Sequence, residues 1–311
     1  MSEPASFGRY RVESVLHRGR TGVVYRASFA GSSKHVALKT LDPVVTNDIV
    51  LRERFIRGAR AISLVRSPHL ATLYEVGVQM PTGQVWCAME LIEGRSLADV
   101  QASEGLLSPH AVVHVAVQLA EALGAVHAGG VVHRNVKPAN VMLTTRGIDP
   151  YFVRLVGFGL VKLREADSGE ELTARGSVLG TPAYMAPEAL IDSSQVDATA
   201  DVYSLGVVLF EMLTGQLPFS NPSLRSLIDQ LMAKEKGAPP LDFEPALDDL
   251  VARMLTPDRA ARPQSMAEVL EALASCSFYD EATRRDLSAV PVIESADMDS
   301  DATLPGKPRR G

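Results

Sequence analysis

"VVHRNVKPANVML", residues 131–143, sets a basic, amide-rich centre between apolar flanks. His133, Arg134, Asn135, Lys137 and Asn140 stand among valines, and no carboxylate occurs in the stretch. Just upstream, "SPHAVVHVAVQLAEALGAVHAGG" (108–130) reads as a helix. Ser108 caps it, Pro109 opens it and Gly129-Gly130 ends it. Before that, strand-like runs alternate with turns: "YRVESVLHRG" (10–19), "TGVVYRASFA" (21–30), "HVALKTL" (35–41), "ATLYEVGVQM" (71–80) and "QVWCAMELI" (84–92). One helix interrupts them, "NDIVLRERFIRGARAISLV" (47–65), with apolar positions at Ile49, Phe55, Ile56, Ala59, Ile62 and Leu64. Downstream the reading is helical: "ATADVYSLGVVLFEMLTG" (198–215), "SLRSLIDQLMAKEKG" (223–237), "ALDDLVARMLT" (246–256) and "SMAEVLEALASC" (265–276).

The bulk numbers agree with a globular chain. Of 311 residues, 46% are hydrophobic and 22% charged. A net charge of −6 gives no positive field for nucleic acid or an anionic membrane. Cys87 and Cys276 sit in apolar surroundings, as buried thiols of a reducing compartment do. The N-terminus lacks a signal pattern, and apolar runs such as "YSLGVVLFEML" are short and interrupted, so a cytoplasmic protein without a membrane span is expected. The expected division is an N-terminal extension (1–8), a small β-rich lobe (9–93), a larger helical lobe (94–278) and a disordered tail (279–311).

Over residues 9 to 275 the chain resembles a bacterial Ser/Thr protein kinase domain, by motifs in the family's order. "VALK" (36–39) matches the lysine-bearing strand and "HRNVKPAN" (133–140) the catalytic loop. "GFG" (157–159) matches the metal-binding motif and "GTPAYMAPE" (180–188) the close of the activation segment. "DVYSLGVVLFEMLTGQLPF" matches the helix that follows, and "AARP" supplies Arg262. The resemblance implies an α+β bilobal kinase fold. It implies that Glu188 pairs with Arg262, that Asp201 holds the catalytic loop, and that Ile62, His133 and Phe158 form the apolar stack between the lobes. Gly19, Gly22, Val24, Ala37, Lys39, Met89, Glu90, Ile92 and Met142 match the nucleotide site. Lys137 and Thr181 match positions that mark Ser/Thr specificity.

Four positions depart from the family's chemistry. Asn135 replaces the catalytic base, and an amide takes no proton at neutral pH. Loss of a positioned base costs about 10²–10⁴-fold in rate. Gly157 replaces the metal-ligand Asp, leaving Asn140 as a lone neutral ligand for a cation that wants oxygens. Gly58 stands where an acid pairs with Lys39; Glu53 lies about 140° away round the helix, and Arg54 has the wrong sign. His17 replaces the first glycine of "HRGRTGVVY". Lys39, deprived of its acid, is expected to be an ordinary solvated lysine rather than an ordered phosphate ligand, and Arg18 and Arg20 an exposed hairpin tip, with an anion contact in the cleft as the alternative.

The leading expectation is therefore a pseudokinase, catalytically inactive or severely impaired, working as a signalling scaffold or allosteric partner. Its expected partners are proteins, such as an active kinase or a phosphopeptide-binding domain. Any ATP binding is expected to be weak and indifferent to Mg²⁺, and no metal site is expected. The alternative is an atypical active kinase transferring the ATP γ-phosphate to protein Ser or Thr. A third reading places function in modification: Thr173 and Ser177 as phosphosites facing Arg134, and Thr303 in the tail as a docking signal. The plain alternative for Thr303 is a solvated tail without a role.

Overall fold

Antiparallel pairing of the short apolar runs builds a six-stranded sheet in the order β1-β2-β3-β4-β6-β5. The strands are β1 (Ser6–Phe7), β2 (Tyr10–Gly19), β3 (Gly22–Phe29), β4 (His35–Leu41), β5 (Leu73–Gln79) and β6 (Gln84–Glu90). The computed structural model describes residues 6–19, 22–29, 31–42, 46, 49–158, 182–192, 196–219 and 227–279. Alternation along the central strands feeds two cores. Val36, Leu38, Trp86 and Ala88 pack with Phe7, Tyr10 and Tyr25 on one side. Leu41, Val85 and Cys87 join Phe55, Ala59 and Ile62 of helix α1 (Ile49–Ser63) in the main core. Each large side chain fully buried this way contributes about 1.5–3 kcal/mol. Phe7 is fully buried and β1 pairs with β2. The small lobe thus includes residues 6 and 7, which the sequence reading assigned to an extension.

The second lobe opens with β7 (Arg95–Ser96) and α2 (Leu97–Glu104), whose N-cap Ser96 accepts from the Asp99 amide. Next come α3 (Pro109–Ala128), α4 (Pro187–Ile191), α5 (Thr199–Thr214), α6 (Leu227–Glu235), α7 (Pro245–Met254) and α8 (Met266–Ala274). The sequence reading passed over β8 (Val141–Arg146) and β9 (Asp149–Leu155), which form a three-stranded sheet with β7. Both are short runs next to the charged turn at Arg146–Asp149 and lack a long alternating signal. At the far end, Tyr279 packs on the core and its amide bonds Cys276 O (3.1 Å), so the lobe runs one residue past the expected boundary. Residues 280–311 lie outside the described part.

Helix α3 is, by length and composition, apolar enough to cross a membrane. Two-thirds of it is buried, and its polar side chains are tied into the lobe. His114 Nε2 lies 3.0 Å from Asp149 Oδ2, and Gln118 bonds both Tyr151 O (3.0 Å) and Val153 N (2.9 Å). It is the central helix of this lobe, packed against α5, α8 and β9. Helix α5 is buried on almost every face, as a helix apolar all round must be. The lobes are joined where Ala71 N and Leu155 N bond across to Leu155 O and His69 O (3.0 and 2.8 Å), and where Arg154 pairs with Glu90. Cys87 and Cys276 are buried free thiols.

Candidate functional site

The catalytic loop is held from below by one buried carboxylate. Asp201, on α5 and wholly inaccessible, accepts from His133 N (2.7 Å) and Arg134 N (2.7 Å), and its Oδ2 lies 2.8 Å from His127 Nε2. Arg134 adopts φ 62°, a left-handed conformation costing a non-glycine residue about 1–2 kcal/mol, and these bonds offset that strain. The Arg134 guanidinium bonds Val196 O (3.4 Å) and lies within electrostatic range of Arg54. His133 is buried with its ring 4.8 Å from that of Phe158, and Ile62 lies in the same core. Burial pushes the His133 imidazole down to about 4, with Asp201 opposing, so it is neutral at pH 7. Its Nδ1 accepts from Asn135 N (3.3 Å), which leaves the proton on Nε2. Below the loop, Arg262 makes a two-pronged bond to Glu188 (2.7 and 2.9 Å) and binds three further carbonyls.

The cleft side of the loop has a different chemistry. Asn135 Nδ2 donates to Gly157 O at 2.7 Å, and Asn140 Nδ2 donates to Asn135 O at 2.7 Å. Gly157 has φ +76°, and a Cβ there would lie 2.6 Å from Asn140 Oδ1. The space of the missing side chain is filled by the neighbouring amide. Lys39, on β4 opposite Val24 and Cys87, is partly buried, which corrects the expectation of a solvated lysine. It has no ion-pair or hydrogen-bond partner among the described residues. Burial lowers its pKa, slightly opposed by Cys87. Lys137 is likewise half-buried, with no hydrogen-bond or ion-pair partner among the described residues, and its pKa is lowered by burial and by the charge of Lys39. Gly58 occupies α1, and Glu53 and Arg54 are exposed on it.

The remaining nucleotide positions fall on the strands around this cleft. Ala37 pairs with Met89 across β4 and β6, and Val24 with Lys39 across β3 and β4. Glu90 N donates to Thr72 O (2.8 Å) at the end of β6, Ile92 follows it half-buried, and Met142 lies half-buried on β8. Gly19 faces Gly22 at the hairpin, where His17 lies on β2 with its ring 3.2 Å from a Cβ built at Gly19. Gly22 has a structural reason of its own: a Cβ there would stand 1.8 Å from Thr40 O. Arg20, Gly159, Thr173, Ser177, Thr181 and Thr303 lie outside the described residues.

These residues do not fit the Mg²⁺ that such a cleft ordinarily holds. Mg²⁺ requires oxygen ligands in near-octahedral array. Gly157 supplies none, Asn140 offers a single neutral Oδ1 while its Nδ2 donates to Asn135 O, and Asn135 presents N–H to the backbone. Among the described residues, no three His, Cys, Asp or Glu side chains come together in an arrangement that could hold a metal ion.

Sequence reasoning missed a second recess beside the loop. A cleft of about 550 Å³ is lined by Gln101, Leu106, Lys137, Pro138, Tyr184 and Glu211, among others. Tyr184 Oη donates to Glu211 Oε2 (2.7 Å), and desolvation raises the Glu211 carboxyl pKa against that bond. The available signal was one acid within the apolar run "VVLFEML". Nearby, buried Lys234 of α6 donates to Ala183 O (2.7 Å) beneath the rings of Tyr203 and Phe219. Burial lowers its pKa to about 7.

A six-stranded lobe over a helical lobe, with Asp201 under the loop and Glu188 bound to Arg262, is the architecture of a protein kinase domain. The protein kinase domain model matches residues 10–273, and the chain belongs to that family. Its relatives are bacterial Ser/Thr kinases. Serine/threonine-protein kinase pkn3 of Myxococcus xanthus is 34% identical over 249 residues, 78% of this chain and 45% of the relative. Serine/threonine-protein kinase pkn2 of the same organism is 36% identical over 276 residues, 86% of this chain and 32% of the relative. The chain thus spans less than half the length of these curated relatives. Among solved structures, the kinase domain of Mycobacterium tuberculosis PknI aligns with TM-score 0.66 and 26% identity, covering 88% of this chain and 98% of that one.

Proposed function

We propose that this domain is a pseudokinase: a kinase-shaped module that acts by binding a protein partner rather than by transferring phosphate. One observation carries the reading. The amide at the place of the base is a donor engaged with Gly157 O at 2.7 Å, so the loop presents no proton acceptor to a substrate hydroxyl. Phosphoryl transfer depends on positioned charge and metal, and the carboxylate that holds the metal is missing as well, at Gly157. The buried framework that fixes the loop is complete, which suits recognition. The recess lined by Lys137, Tyr184 and Glu211 supports a protein partner, since it offers polar groups of both signs and apolar walls to a docking segment. A cytoplasmic site of action belongs to the same reading.

The test is transfer of labelled phosphate from ATP to the chain itself and to a generic basic protein, with Mg²⁺ or Mn²⁺. The wild type is compared with Asn135→Asp/Gly157→Asp, and folding of both is checked by thermal melting. The expected wild-type signal is background. Transfer by the wild type to Ser or Thr, at a rate equal to the restored variant's, would establish the rival reading of an atypical active Ser/Thr kinase.

A further inference from the structure

The departures at 135 and 157 fit one another. Carboxylates at both positions would set like charges on facing segments, and such charges repel unless a cation stands between them. Here an amide donates and a main-chain carbonyl accepts, from Asn135 Nδ2 to Gly157 O at 2.7 Å. Asn140 Nδ2 donates to Asn135 O (2.7 Å), and Val156 N donates to Asn140 O (2.9 Å). The catalytic loop and the residues leading to Phe158 are thus joined at two points, and neither point needs an ion. Position 157 contributes by what it lacks. Glycine adopts its φ of +76° without strain, and a Cβ there would stand 2.9 Å from Asn140 Nδ2, the donor that completes the circuit. Next in the chain, Phe158 lays its ring 4.8 Å from that of buried His133 and packs on the core that holds Ile62. Whatever fixes residue 157 therefore steadies the stack between the lobes.

We infer that Asn135 and Gly157 form a lock that holds the Phe158–His133 stack in place with neither nucleotide nor metal. An aspartate at 135 could not serve, because an ionised carboxylate only accepts and would face the Gly157 carbonyl without a proton to share. A side chain at 157 would press on Asn140 and open the same circuit. The inference deepens the pseudokinase reading, since a domain locked in this way presents one surface to a partner whether or not its cleft is filled. The two fail separately. Without the lock, Asn135 is still an amide that takes no proton, whereas phosphate transfer overturns the pseudokinase reading whatever holds Phe158.

The experiment is amide hydrogen exchange on the full chain, read by mass spectrometry in EDTA, in Mg²⁺, and in ATP with Mg²⁺. The peptide covering 153–158 reports the lock, and the α5 peptide around Asp201 reports that the lobe is folded. In the wild type, the 153–158 amides should be protected in EDTA and should exchange at the same rate with ATP and Mg²⁺. Asn135→Ala should speed their exchange about fivefold, the size of one ordinary hydrogen bond, and leave the α5 peptide unchanged. Asn135→Asp should speed it about tenfold or more, because an acceptor then faces an acceptor. Protection of 153–158 that arises only with ATP and Mg²⁺ would overturn the inference, as would unchanged exchange there in either folded variant. The first of these outcomes needs no variant, so the lock can be refuted even if a substituted chain does not fold.

Discussion

Two charged regions lie back to back across the catalytic loop, and they have fared differently. Beneath it, every charge is paired: Arg262 with Glu188, and Asp201 with two amides and His127. Above it, Lys39 has no acid partner among the described residues, and Lys137 lines the recess that holds Glu211 without pairing to it. The difference separates charge that folds the domain from charge that works on a ligand. Removing one member of a buried ion pair costs about 3–5 kcal/mol, because the other is stranded. Removing a carboxylate from an open cleft leaves nothing stranded inside the fold. A chain released from catalysis can therefore lose the second set while the first is held by stability.

That contrast can be broken most directly from below. Arg262→Ala is expected to cost about 3–5 kcal/mol, read as a lower midpoint in guanidinium denaturation, and Asp201→Ala a similar amount. If either variant were as stable as wild type, the lower network would be ornamental and the contrast would collapse. The next effect concerns pH. His133 is neutral in the fold with its pKa near 4, against about 6.5 unfolded, so the native state binds fewer protons between those values. Its contribution is present above pH 6.5 and is lost as pH falls toward 4, by about 3 kcal/mol in all. His133→Phe should flatten that part of the stability profile measured by urea melts from pH 4 to 7.

Smaller effects sharpen the upper half of the comparison. Asn135→Asp deletes the donor to Gly157 O and sets a carboxylate against that carbonyl. It should destabilise by about 1–3 kcal/mol without restoring transfer by itself. Lys39→Met should do the reverse of Arg262→Ala: with no partner to strand and a desolvated charge removed, stability rises by about 1 kcal/mol in the same denaturation assay. Opposite signs for a buried, paired cation and a half-buried, unpaired one are the sharpest form of the contrast.

Much of the scaffold was legible in the primary structure. The strands at 10–19 and 35–41 and the helix from Ser108 to Gly129 are local patterns, and alternation or a cap with a terminal glycine suffices to read them. Strands β8 and β9 were not legible, because six- and seven-residue runs become strands only by pairing with each other and with β7. Helix α3 shows the same limit from another side. Its composition would serve a membrane, and only Asp149, Val153 and Asp201 reveal what its polar groups face. At the site, missing acids at 135, 157 and 58 were plain to see, whereas Glu211 and Lys234 looked like ordinary helix residues.

The sequence by itself determined which chemistry is absent, since the identity of a side chain at a motif position needs no coordinates: an amide cannot take the proton and a glycine cannot hold a metal. Only the tertiary structure decided what the surviving groups do instead. Asn135 turns its amide to Gly157 O across 22 residues of chain, Asn140 fills the space a side chain at Gly157 would take, and Lys39 lies partly buried opposite Cys87 with no partner among the described residues. Hydrogen-bond partners, excluded volume and local dielectric are relations between distant parts of the chain. They come into being when the lobes pack, and no single stretch of residues contains them.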